Sequence, residues 1–92
     1  MIRNIKRTTI FKRDYRREKR TDAKLDDILF PVVKRLACDE PLDARFCDHS
    51  LGGDLKNIRD CHIKPNLVML YSKPDEDTLV LVRLGSHSEL NI

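Results

Sequence analysis

The apolar residues of this chain change their period once, and that change limits the possible folds more than any other feature. From Asp22 to about Cys38, Leu25, Ile28, Leu29, Val32, Val33, Leu36 and Ala37 recur every three or four residues, the spacing of one helix face. After Glu40-Pro41 the pattern becomes a series of short runs of strand formers separated by turn residues. These are Leu55 to Ile63, Leu67 to Ser72 after Lys64-Pro65-Asn66, and Thr78 to Leu84 after Lys73 to Asp77. Between the two regimes, Leu42 to Asp54 is polar, contains Gly52-Gly53 and predicts a long loop. Pro31 lies on the polar side of the helix, where it removes one backbone donor and crowds the Asp27 carbonyl, so a kink is expected there.

Upstream, Met1 to Arg7 reads as an edge strand with Ile2 and Ile5. Thr8 or Thr9 then caps a helix to about Arg20, with Ile10, Phe11 and Tyr15 facing inward. The two helices form a hairpin around Thr21. The order strand, two helices, three strands predicts an α+β fold, with the helices on one face of an antiparallel meander. A length of 92 residues suits a single domain over residues 1–92, with no room for a nucleotide-binding fold and a second lobe. In the last strand Val80, Val82 and Leu84 alternate with Leu79, Leu81 and Arg83, which makes Arg83 the exception in an apolar run. Asp60 and His62, two apart in a strand, share a side.

Charge is uneven along the chain. Residues 1–20 hold nine Lys or Arg against Asp14 and Glu18, whereas the remainder holds nine against thirteen acids. Lys12, Arg13, Arg16, Arg17, Lys19 and Arg20 form a cluster that can bind a phosphate backbone by releasing its counterions, or serve as a solvated helix face. No apolar run approaches the ~20 residues that span a bilayer, and no secretory hydrophobic region follows the basic start, so no membrane partner is expected. Cys38, Cys47 and Cys61 are odd in number and spaced 9 and 14 apart. That matches neither a disulfide framework nor a metal knuckle and suggests a reducing cytoplasm.

His49, His62 and His87 each lie beside a loop or a strand end and converge if the meander closes. Imidazoles can accept and donate protons near neutral pH, as cleavage of RNA by its own 2′-hydroxyl requires, and Arg83 or Arg59 could supply a fixed cation for the negative transition state. Each histidine could equally be a surface or hydrogen-bonded residue, and Asp60 a cap or ion-pair partner. No pair of them has the short spacing of a metal motif, so no metal or other cofactor is expected.

The residues also carry a resemblance. Asp48-His49-Ser50-Leu51, Gly53, Leu55-Lys56, Arg59-Asp60, His62, Lys64-Pro65, Tyr71 and the ending from Arg83 to Leu90 resemble the YafQ branch of the RelE-type toxins. The resemblance implies a toxin of a type II toxin–antitoxin pair, an endoribonuclease that cuts messenger RNA on the ribosome without a metal. It implies His87 as general acid, His49 and His62 as base or phosphate contacts, Asp60 as the group that orients them, and Arg83 at the scissile phosphate. Arg59, Lys64 and Asn66 are expected as further RNA contacts. The partner it implies is an antitoxin, of ribbon-helix-helix type with a tail that wraps the toxin, through which alone operator DNA would be bound. Ser50 replaces the family's proline, Asn66 its aspartate, and no aromatic follows Leu90. The first removes no functional group, but the other two leave a second reading open, a non-catalytic module that binds an antitoxin and regulates its operon.

Overall fold

The computed structural model describes residues 2–53 and 57–92. Strand β1 (Asn4–Arg7) is followed by helices α1 (Thr9–Thr21) and α2 (Leu25–Ala37). A single 3-10 turn (Ala44–Phe46) leads to β2 (His49–Ser50), β3 (Arg59–Lys64), β4 (Leu67–Ser72) and β5 (Thr78–Gly85), and a short helix α3 (His87–Leu90) follows. The sheet order is β1-β5-β4-β3-β2, with β1 parallel to β5 and every other pair antiparallel.

The expected α+β order is present, with two differences in the sheet. The expected loop from Leu42 to Asp54 carries β2, two residues that pair with Arg59 and Asp60. A two-residue strand in polar sequence has no alternation to read. The strand expected from Leu55 begins at Arg59, and residues 54–56 lie outside the described residues. Gly52 and Gly53 have φ of 75° and 56°, and a Cβ at either would touch nothing within 4 Å. The left-handed backbone, and not crowding, is therefore what favours glycine there.

Thr8 caps α1 through its side chain, which accepts from the Phe11 N–H at 2.9 Å. The inward stripe of α1 is narrower and more polar than expected. Phe11 and Asp14, three residues apart, are buried, whereas Ile10 is 44% exposed. In α2 the stripe of Leu25, Leu29, Val32, Val33, Leu36 and Ala37 is buried as its spacing predicts, but Ile28 lies at its margin and is exposed. Helix α2 continues through Pro31, which sits on the exposed side.

Alternation along the strands divides the sheet in two. Cys61 and Ile63 of β3, Met69 and Tyr71 of β4, and Leu79, Leu81 and Leu84 of β5 form the main core with α1 and α2. Val68 and Leu70 face the other side, where Leu90 of α3 covers them with Leu51, Ile58 and Val82. A register shift between Leu70 and Tyr71 places Val82 as an extra residue of β5, so the alternation there moves by one and Leu84 returns to the core. At the start of the chain, Arg3 and Lys73 both bind Asp39 and hold its carboxyl down at about 2.

Candidate functional site

Strand β3 brings the first two site residues to the face opposite the helices. In register, Asp60 pairs with Leu70 and His62 with Val68, and both partners belong to the cluster on that face. Short β2 places His49 directly across from Asp60. The residue that makes this geometry is Cys47, whose left-handed backbone (φ 50°) closes the 3-10 turn. Its carbonyl then lies 2.6 Å from His49 Nδ1. A carbonyl only accepts, so this contact assigns the Nδ1–H tautomer to a neutral His49 and leaves Nε2 as its proton acceptor.

His87 arrives from the far end of the sheet. Ser86 caps α3 in a reciprocal box, accepting from Glu89 N–H at 3.1 Å while Glu89 Oε1 accepts from Ser86 N–H at 2.9 Å. Leu90, three residues after His87, is buried against β4 and fixes the helix on the open face. The His87 and His62 rings meet edge to face, with centroids 5.0 Å apart at 73°. Asp60 Oδ1 lies 3.5 Å from His49 Nδ1 and 3.9 Å from His62 Nε2.

Three imidazoles and one carboxylate are thus brought together, as closure of the meander allows, and the cluster is open to solvent through His49 and His87, both exposed. Asp60 is 3% exposed, and among the described residues its buried Oδ1 has no hydrogen-bond partner. An unpaired buried carboxylate oxygen is costly, and substrate, water or a cation at this point would relieve that cost.

The cationic candidates are arranged differently. The Cα of Arg83 lies across β4 from Asp60, in the row Asp60–Leu70–Arg83, and Asp14 of α1 accepts its Nε–H at 2.8 Å. Arg59 points to the opposite side of β3 from Asp60. It donates to Asp48 Oδ1 at 3.1 Å and Tyr71 Oη at 3.3 Å. Lys64 is held by Asp22 at 2.7 Å, and Asn66 is exposed in the β3–β4 turn. The fold therefore does not bring Arg59 and Lys64 to the imidazoles. Of the basic cluster, Arg17 pairs with Asp14 and Glu89 and Lys19 with Asp26, whereas Lys12, Arg13, Arg16 and Arg20 are exposed on α1.

In the sequence, Asp14 stands only as an acid within a basic run. The available signal was its position three residues after Phe11, on the inward stripe. Metal-ligand spacing was absent, but folding supplies what spacing did not. One donor atom each from Asp60, His62 and His87 lie within 4.8 Å of one another. With the orphaned Asp60 oxygen, this set of two imidazoles and a carboxylate fits a borderline divalent cation such as Zn²⁺ or Cu²⁺.

The geometry defines a class: a small α+β protein that carries a titratable cluster on the open face of a helix-backed sheet. Residues 3–92 match the family described as bacterial toxin of type II toxin–antitoxin system, YafQ, and the chain belongs to that family. It is 38% identical over 50 residues to the mRNA interferase toxin YafQ of Escherichia coli K12, covering 54% of this chain and 53% of the relative. The chain thus spans about half the length of the curated relatives it matches.

Among solved structures, a metal-bound toxin from Helicobacter pylori is 43% identical with a TM-score of 0.87, covering 98% of this chain and 99% of that one. YafQ in the E. coli DinJ-YafQ toxin–antitoxin complex is 26% identical with a TM-score of 0.83, covering 98% of each chain. Among the described residues, no helix is long and apolar enough to cross a membrane.

Proposed function

We propose that this chain cuts messenger RNA on the ribosome by general acid–base chemistry and is held inactive by a protein antitoxin. The observation that carries the reading is the convergence of His49, His62, His87 and buried Asp60 on one solvent-open face, with the His62 and His87 rings 5.0 Å apart. His49 Nε2, or His62, takes the proton of a ribose 2′-hydroxyl, and that oxygen attacks the adjacent phosphorus. The P–O5′ bond breaks, and His87 protonates the leaving 5′-oxygen, giving a 2′,3′-cyclic phosphate and a 5′-hydroxyl. Arg83 meets the negative charge that develops on the phosphoryl oxygens, and Asp60 orients the imidazoles.

The exposed cations of α1 supply contacts to ribosomal or messenger phosphate that add affinity without sequence choice. Arg59 and Lys64, already neutralised by Asp48 and Asp22, contribute to RNA binding only by exchanging partners, and Asn66 contributes as an exposed amide. A divalent cation held by Asp60, His62 and His87 would supply Lewis acidity at the same point. These proton transfers use only the chain's own groups. The DinJ-YafQ toxin–antitoxin complex of the E. coli relative supports a protein antitoxin here; that this antitoxin is of ribbon-helix-helix type, wraps the toxin and carries operator binding is our reading from the family resemblance.

The test is to induce the chain without an antitoxin and map messenger RNA 5′ ends alongside growth. Codon-phased cuts with growth arrest are expected, and arrest without cuts would overturn the nuclease. A second reading, a module of the same fold that binds an antitoxin without cutting, is favoured by the exposed amide of Asn66, which cannot exchange a proton as a carboxylate does. Neither arrest nor cuts would support it.

A further inference from the structure

Beyond Leu81, no strand among the described residues pairs with the outer edge of β5. β1 pairs with β5 only as far as Arg7 opposite Leu81, and side chains from the start of α1 take over the exposed backbone groups. The Thr8 hydroxyl donates to the Val82 carbonyl at 2.8 Å, Asp14 Oδ2 accepts from Leu84 N–H at 3.1 Å, and Arg17 donates to the Leu84 carbonyl at 3.0 Å. Arg83 lies between these contacts. Its Nε donates to Asp14 Oδ2 at 2.8 Å and its Nη2 to Oδ1 at 3.4 Å, while Arg17 adds a third cationic contact at 3.1 Å.

Asp14 is fully buried. Burial pushes its carboxyl up, but the Arg83 and Leu84 hydrogen bonds and the charges of Arg83 and Arg17 outweigh burial and hold it below its ordinary value. The carboxylate therefore stays ionised inside the fold, which is unusual for so dry a position and calls for more than a helix-face role.

The consequence falls on Arg83. An arginine near the end of a strand has many rotamers, and a guanidinium that must meet a phosphate works best when its geometry is fixed beforehand. Asp14 fixes one edge of the fork and leaves the remaining N–H groups for an anion. The row Asp60–Leu70–Arg83 sets the Cα of Arg83 two strands from that of Asp60, about 10 Å. The guanidinium is drawn to Asp14 beside the outer edge of β5, so the substrate backbone, and not the side chain, must bridge that span. The same ridge of α1 also reaches the helix that carries His87. Arg17 Nε lies 3.3 Å from Glu89 Oε2, and Glu89 closes the α3 cap. A Cβ on Gly85 would sit 3.1 Å from Arg17 Nη2 and 3.4 Å from Glu89 Oε1, so this pair packs closely over the end of β5.

We propose that Asp14 is a positioning residue for RNA cleavage: it holds the Arg83 guanidinium at the edge of β5, in the orientation that meets the scissile phosphodiester. The proposal rests on the nuclease reading above. It is tested by a double-mutant cycle on ribosome-programmed messenger cleavage, comparing the parent chain with Asp14→Asn, Arg83→Ala and the double variant. Asp14→Asn should lower kcat by about 10²-fold, the scale of a misplaced reacting group, with little change in KM. In the Arg83→Ala background the same substitution should cost less than about two-fold, because both act through one guanidinium. Equal losses in both backgrounds, or full activity of a folded Asp14→Asn chain, would overturn the proposal.

If Asp14→Asn does not fold, NMR of the unaltered protein decides. The Arg83 Nε–H signal should be sharp and protected from exchange, and a signal averaged with the exposed arginines would overturn the assignment. A parent chain that cuts no RNA defeats the nuclease reading separately, and the NMR result still judges the Asp14–Arg83 geometry.

Discussion

The two faces of the sheet are built from the same strands, and neighbouring residues on them have opposite fates. In β3, Cys61 and Ile63 lie in the core beneath the helices, whereas Asp60 and His62, one position away, face the side that carries the smaller cluster of Val68, Leu70 and Leu90. Burial pushes the Cys61 thiol far up from its usual range, with help from the charges of Asp48 and Asp60, so it is an inert apolar filler. His62, beside it in sequence, is one-quarter exposed and touches the His87 ring. Strand parity alone separates packing from chemistry here. The open face can give up apolar contacts to hold imidazoles because the covered face carries most of the buried side chains.

Substitutions sharpen or break this contrast. The largest effect belongs to the open face. His87→Ala should reduce cleavage by at least ~10²-fold, the usual contribution of a positioned proton donor, while the thermal unfolding midpoint is unchanged. Retained cleavage would remove His87 from the reaction. On the covered face Leu79→Ala, at a fully buried position, should cost about 2–5 kcal/mol in urea unfolding. Cleavage per folded molecule should remain at the parent value, and a selective loss of rate would show that the faces are not separable.

Smaller still, Cys61→Ser should cost roughly 1–3 kcal/mol, because a hydroxyl replaces a thiol without a partner in the core, and should leave cleavage unchanged. The smallest effect is one of pH. The folded Asp14 carboxyl titrates below its ordinary value, so the stability it contributes is complete above ~3.9, the unfolded-chain value, and is lost as pH falls toward the folded one. Asp14→Asn should therefore give a flatter acid limb in melts followed by circular dichroism, with the parent's advantage shrinking in that window. An advantage independent of pH would contradict the ion pair.

Much of this contrast is visible in the sequence. The three-and-four spacing of α2 gives its buried stripe, and the i, i+2 relation of Asp60 and His62 puts them on one side before any coordinates are known. Other features are set only by tertiary contact. The two residues of β2 are too few to show a period, and their pairing with Arg59 and Asp60 depends on the left-handed turn at Cys47. The parallel pairing of β1 with β5 joins the two ends of the chain. The donors from Asp60, His62 and His87 come together through sheet register and the α3 cap, so no short-range spacing could announce a cation site. Asp14 looks like one more charge on a charged helix until its partners on β5 are in place.

The most direct test of the open-face chemistry is the identity of the new RNA ends after ribosome-dependent cleavage with Mg²⁺ in excess and a chelator selective for Zn²⁺ and Cu²⁺ present. Attack by the 2′-hydroxyl predicts 5′-hydroxyl and 2′,3′-cyclic phosphate termini, formed at an undiminished rate and lost when the scissile ribose is 2′-deoxy. Termini with 5′-phosphate and 3′-hydroxyl, or cleavage abolished by the chelator, would contradict the account.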